Sequence, residues 1–262
     1  TETWGSIILP SANCGIAGLR PTYGRVSRYG GMPLSWTLDK PGPMCQTADD
    51  CGIVLEAIAG RDPNDLTTTN LLFSHEPVDV GRRFKLALPK NATDDVENFV
   101  RENFDAALSV LESIADIEEI ELPDYPYGAV TTAIFMSEST TIWSEFTKSG
   151  RSSELTAPED RHGIYARSTA LASEYLRAMR IRKMIARDID TLLSPYDAIV
   201  TPTRPTVATP LDLDRIPAHE VLLSVPDRGN RSDKRTAGIA GWMQFPDARN
   251  AGICVHFEIG EP

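Results

Sequence analysis

The sequence predicts an α/β fold, and three observations predict it. A short apolar run of strand character at 84–88 and an alternating strand-like run at 117–122 flank a segment whose apolar residues recur every three or four positions. Further strand-like runs at 197–200 and 252–259 follow long helical patterns. The 41% hydrophobic content over 262 residues is also enough to bury a core on both faces of a sheet. Strands alternating with helices of this length favour a sheet with helices packed on it.

Residues 1–45 are rich in Gly, Pro, Ser and Thr, which predicts loops and short strands rather than helices, and a place for a backbone-built site. Thr47 before Ala48, Asp49 and Asp50 reads as an N-cap with an acidic first turn, and Ile53, Val54, Ala57 and Ile58 continue a helix over about 48–59. The stretch after Gly60 is turn chemistry. A strand at 84–88 ends at Pro89, and Thr93 is placed to cap a helix carrying Val96, Phe99, Val100, Phe104, Ala107, Leu108 and Leu111. A strand follows at 117–122. Helical spacing returns at 129–147, through Val130, Ala133, Ile134, Ser137, Thr141 and Phe146, and at 168–193, through Ala172, Tyr175, Leu176, Met179, Ala186, Ile189 and Leu193. On the second of these helices Tyr175 falls on the core side, and Arg177, Arg180 and Arg182 form a solvated face. A polar segment, 148–161, joins the two helices. The strand at 197–200 stops in a Thr/Pro turn, so that Thr203 and Pro205 either line a cleft or simply end the strand. Residues 208–235 read as loop, and no internal repeat is visible. The chain is expected to form one domain over 1–262.

A formal charge of −11, from 37 acidic and 26 basic residues, repels phosphate backbones and anionic lipids, which argues against a nucleic-acid or membrane partner. No window approaches the roughly 18 apolar residues of a spanning helix, and no leader opens the chain. Cys14, Cys45, Cys51 and Cys254 lack C-x-x-C spacing, so they read as free buried thiols of a reducing, cytoplasmic compartment. His75, His162, His219 and His256 are scattered, and neither a metal nor a cofactor is expected. The chain opens on Thr1 inside a Gly/Ser/Thr-rich stretch, which reads as a fragment or a processed product.

The first ten residues, TETWGSIILP, carry most of the functional information. They resemble the core motif of the amidase signature family, G-T-D/E-x-G-G-S-I-R-x-P. CGIAGLRPTYGRVSRYGG at 14–31, LDKPGP at 38–43, EAIAGRDPNDLTT at 56–68, YLRAMRIRKMI at 175–185 and DAIVTPTRP at 197–205 resemble the same family in the same order. The resemblance implies a large mixed β-sheet flanked by helices on both faces, incomplete here at both ends. It implies Ser6 as the acyl-forming nucleophile, and the backbone amides of Thr3, Trp4, Gly5 and Ser6 as the oxyanion hole. A serine hydroxyl is a weak nucleophile until a base takes its proton, and each preorganised N–H donor to the oxyanion is worth roughly 3 to 4 kcal/mol.

Two positions depart from the motif. Trp4 stands where the family has glycine, and either walls the acyl pocket or packs as an ordinary core aromatic. Ile8 replaces the arginine after the serine and removes a fixed charge. The family's relay runs from a neutral lysine through a cis-serine to the nucleophile, and both relay residues belong to a segment upstream of Thr1. Lys40, Lys85, Lys90, Lys148, Lys183 and Lys234 do not match the relay position and read as solvated.

Three functional readings follow. One is a hydrolase acting on small-molecule amides, and on esters, which need less leaving-group protonation; the amide-transferring relatives of this family are a special case. A second is an inactive relative that binds or supports. A third uses Thr1 as an N-terminal nucleophile with its own amine as base. Sheet strands left without neighbours would favour a homo-oligomer or a complementing chain.

Overall fold

The computed structural model describes residues 1–70, 73–75, 81–157, 161, 165 and 170–208, and the backbone of 253–257. The loop predicted over 208–235 lies, beyond its first residue, outside the described residues.

Four strands form one mixed sheet: β3 (Phe84–Pro89), β4 (Ala115–Ile120), β5 (Ala198–Pro202) and β6 (Ile253–Phe257). Their order is β4-β3-β5-β6, with β3 parallel to both β4 and β5, and β6 antiparallel to β5. Strand β3 lacks polar alternation because both its faces are covered. Leu86 packs with Phe104, Ala107 and Leu111 of helix α3 (Asn98–Leu111). Its neighbour Ala87 points the other way, into Leu193, with Ile189 and Leu192 beside it, on helix α6 (Ala172–Leu193). Helices thus cover both faces, as the resemblance implies. At the edge of this core, the Arg82 guanidinium grips the Asp197 carboxylate with two hydrogen bonds of 2.7 and 2.6 Å, and the amide of Lys85 donates to the same carboxylate at 2.8 Å. The entrances of β3 and β5 are tied together there.

The sequence is right about the identity of these elements and less so about their limits. Thr47 caps α2 (Ala48–Ile58) through a capping box with Asp50, as expected. Helix α3 starts at Asn98, not after Thr93. Residues 90–94 close turns on Pro89 and Asn91, and the Glu97 amide donates to Pro205 O at 2.8 Å, so a tertiary contact fixes the entry. Phe99, expected in the core, is 48% exposed. The helix predicted over 129–147 is two, α4 (Tyr127–Ile142) and α5 (Ser144–Lys148), broken at Trp143, whose ring meets Phe146 edge-on. Helix α4 packs on α6 through Val130, Ile134 and Ala178, and Tyr175 joins this core. Arg177 and Arg180 are exposed, but Arg182 departs from the expected solvated face: it donates to Thr37 Oγ1 at 2.9 Å and to Thr37 O at 3.1 Å.

Before this sheet lies a smaller unit: α1 (Ile8–Cys14), a helix that the Gly/Ser/Thr composition hid, and the antiparallel pair β1 (Ala17–Gly18) and β2 (Met44–Cys45). Ile7, Ile8, Ala12, Ala17 and Cys51 form its core. Gly18 is required, because a Cβ there would stand 2.3 Å from the buried Ser11 hydroxyl. Cys51 is buried, and that burial pushes its thiol up to about 12, which fits an inert structural role; Cys14, by contrast, is exposed.

Candidate active site

The segment 2–6 is suspended between a backbone bridge and a helix. The Glu2 amide donates to Lys40 O at 2.8 Å and the Lys40 amide donates back to Glu2 O at 2.9 Å, so residue 2 is fixed before the turn begins. The Leu9 amide donates to Gly5 O at 2.8 Å and opens α1, which fixes the turn's far side. Ser6 is exposed on this turn, whereas the next residue, Ile7, is wholly buried. Exposed serine followed by buried isoleucine is how the backbone presents one hydroxyl outward while anchoring itself inward.

Glu2 does much of the anchoring. The residue is 1% exposed; Oε2 accepts the amides of Ile7 at 3.0 Å and Ile8 at 3.2 Å, and Oε1 accepts Arg20 Nη1 at 2.5 Å. A buried carboxylate is tolerated when a cation and several donors meet it, and these three donors do so. Ile8 is 6% exposed within the same core, so an apolar residue suits its surroundings here.

Thr3 is held from a second side. Its hydroxyl donates to Asp39 Oδ1 at 2.6 Å, and Asp39 Oδ2 accepts the amides of Leu34 at 2.7 Å and Ser35 at 2.9 Å. From Ser35 the network continues to Glu138 of α4, only 2% exposed, whose oxygens accept Ser35 Oγ, Thr37 N at 3.0 Å, Thr37 Oγ1 at 2.9 Å and Tyr175 OH at 2.9 Å. A cavity of about 290 Å³ opens beside it, lined by Trp36, Glu138, Thr141 and Tyr175 among others.

Lys40 is not the solvated residue expected. Its ammonium donates to Leu38 O and reaches Thr3 O at 3.5 Å. Burial, aided by the Arg20 charge and more weakly by Arg182, lowers its pKa to about 8, against the opposing pull of Glu2 and Asp39.

Trp4 is not an ordinary core aromatic. It is 48% exposed and meets Phe135 of α4 edge-on, with ring centroids 6.1 Å apart. Gly5 is half-buried without a positive φ, and a Cβ there would touch only the flexible end of Leu9, so its conformation alone does not demand glycine. Thr1 is exposed. Among the described residues no side chain is hydrogen-bonded to the Ser6 hydroxyl, and no group of His, Cys, Asp and Glu is placed to hold a metal. No described helix is long and apolar enough to cross a membrane.

Sequence reasoning placed Thr3 to Ser6 together as one turn but missed the groups that hold it: Glu2, Asp39, Lys40 and Glu138. The legible signal for Glu138 was a lone carboxylate in the otherwise uncharged run of α4. The other three stood inside the motifs themselves.

A family model described as Amidase matches residues 1–224. The A subunit of glutamyl-tRNA(Gln) amidotransferase from Thermotoga maritima is 32% identical over 234 residues, covering 79% of this chain and 49% of that protein. The protein of the same name from Roseiflexus sp. is 36% identical over 242 residues, covering 80% and 49%. The crystal structure of the Thermotoga protein superposes with a TM-score of 0.69 at 28% identity, over 97% of this chain and 56% of that one. The chain thus spans about half the length of the curated relatives it matches.

Proposed function

The chain belongs to the amidase family, and from that premise we propose that it is the nucleophile-bearing part of a serine hydrolase cleaving amide C–N bonds through an acyl-enzyme on Ser6. The observation that carries the reading is the turn itself: an exposed Ser6 hydroxyl on a backbone pinned by the Glu2–Lys40 bridge, the Glu2 carboxylate and the Thr3–Asp39 bond. Preorganisation of that kind is what an oxyanion hole requires, since donors that must reorient during reaction return much of their benefit.

In this reading Ser6 Oγ attacks the substrate carbonyl carbon as its proton passes to a base. The oxyanion is received by amides of Thr3, Trp4, Gly5 and Ser6. Collapse of the tetrahedral adduct breaks the C–N bond and expels the protonated amine, and water then releases the acid. By resemblance the base is the cis-serine and lysine relay, to which no residue of 1–262 is matched. Esters fall within the same chemistry. Trp4 and Phe135 give the acyl side an aromatic wall that suits small apolar acyl groups. The amidotransferase relatives support a complementing chain as partner, and a cytoplasmic location belongs to this reading.

Intact-mass measurement after incubation with a fluorophosphonate tests it. One adduct, absent from Ser6→Ala, is expected; a folded, full-length protein that takes no adduct sinks the acyl-enzyme reading and leaves the inactive relative.

A further inference from the structure

A peptide group is a single dipole, and a cation at its carbonyl end strengthens the N–H at its other end as a donor. The carbonyl of Thr3 and the N–H of Trp4 belong to one peptide. Lys40 Nζ stands 3.5 Å from that carbonyl, at the long limit of a hydrogen bond, where the attraction is chiefly that of a charge for the carbonyl dipole. The lysine cannot easily swing away. Its backbone is bridged to Glu2, and its Nζ also donates to Leu38 O. The Thr3 hydroxyl is meanwhile held by Asp39, so residues 39 and 40 grip Thr3 by side chain and carbonyl together.

We propose that Lys40 is a positioning residue of the reaction: its ammonium, on the Thr3 carbonyl, orients and polarises the Thr3–Trp4 peptide so that the Trp4 N–H becomes a strong donor to the oxyanion. This rests on the oxyanion-hole reading above. It gives a separate consequence, since the Lys40 charge that does the polarising, on which the Arg20, Arg182, Glu2 and Asp39 charges act, is lost as pH rises through about 8.

The test uses the full-length protein and a p-nitrophenyl ester, with Ser6 acylation rate followed against pH for the parent, Lys40→Met, Lys40→Arg and Ser6→Ala. Removing a whole oxyanion donor costs about a hundredfold or more, so weakening one by Lys40→Met should lower the acylation rate at pH 7 by about tenfold, with KM nearly unchanged. The parent should lose rate above pH 8. Lys40→Arg should retain most of the activity and lose that decline, because a guanidinium stays charged. If Lys40→Met does not fold, the pH profile of Lys40→Arg decides. A parent whose Ser6 acylates while Lys40→Met matches it at pH 7, or a Lys40→Arg variant that still declines near pH 8, overturns the role of Lys40 and leaves Ser6 intact. A parent with no Ser6-dependent acylation overturns the acyl-enzyme reading, and the role of Lys40 with it.

Discussion

The carboxylate of Glu2 and the guanidinium of Arg20 meet at 2.5 Å with side chains 0% and 8% exposed, directly beneath the turn that presents Ser6. Arg20 Nε and Nη2 have no partner among the described residues, so Glu2 is its one described anionic contact.

Breaking that pair by Glu2→Gln should therefore be severe. Losing one partner of a buried ion pair typically costs about 3 to 5 kcal/mol, because the other charge stays buried and unpaired. Denaturant titration should show a loss of that size. A loss under about 1 kcal/mol would mean that Arg20 finds water or another acceptor, and that the pair does not hold the turn.

Glu138 should matter for a different reason. It accepts four donors from Ser35, Thr37 and Tyr175. Glu138→Ala strands them in a buried site, at about 1 to 3 kcal/mol for each that water cannot reach. Glu138→Gln keeps the shape and should cost less. Equal unfolding midpoints for the two variants would show that cavity water satisfies the donors, and that the carboxylate is dispensable.

Acid stability should report on Asp197. The Arg82 guanidinium, the Lys85 amide and the Arg82 and Lys85 charges hold its pKa down to about 2, below its ordinary value near 4. A depressed carboxylate binds fewer protons folded than unfolded, so its contribution is fully present above about pH 4 and fades as pH falls towards 2. Asp197→Asn should flatten the stability curve in that window. Curves of the parent and variant that run parallel from pH 5 to 2 would refute the assignment.

Trp4→Ala should alter selectivity more than stability. The edge-on contact with Phe135 is worth about 0.5 to 1.5 kcal/mol, and the ring is 48% exposed. The expected result is a modest drop in unfolding midpoint with a clear fall in KM for bulky apolar acyl groups relative to small ones. Unchanged relative KM values would place Trp4 outside the acyl wall.

Local chemistry was legible wherever it was self-contained. Thr47 and Asp50 form their capping box from neighbours, and the spacing of Phe104, Ala107 and Leu111 yields the helix face that covers β3. Boundaries were legible only where sequence neighbours set them. Helix α3 starts late because Pro205, more than a hundred residues downstream, accepts the Glu97 amide. Composition hid α1, because its stability comes from Ile7, Ile8 and Ala12 packing on Ala17 and Cys51 rather than from helix propensity.

The sequence by itself determined the α/β class, the family and the turn that bears Ser6, because period, caps and a contiguous motif are written in order along the chain. Only the tertiary structure decided what holds that turn. Asp39, Lys40 and Glu138 look like ordinary polar residues until folding turns three donors onto Asp39 and withdraws Lys40 and Glu138 from water, and burial is what turns a solvated charge into a group that must bind a particular partner.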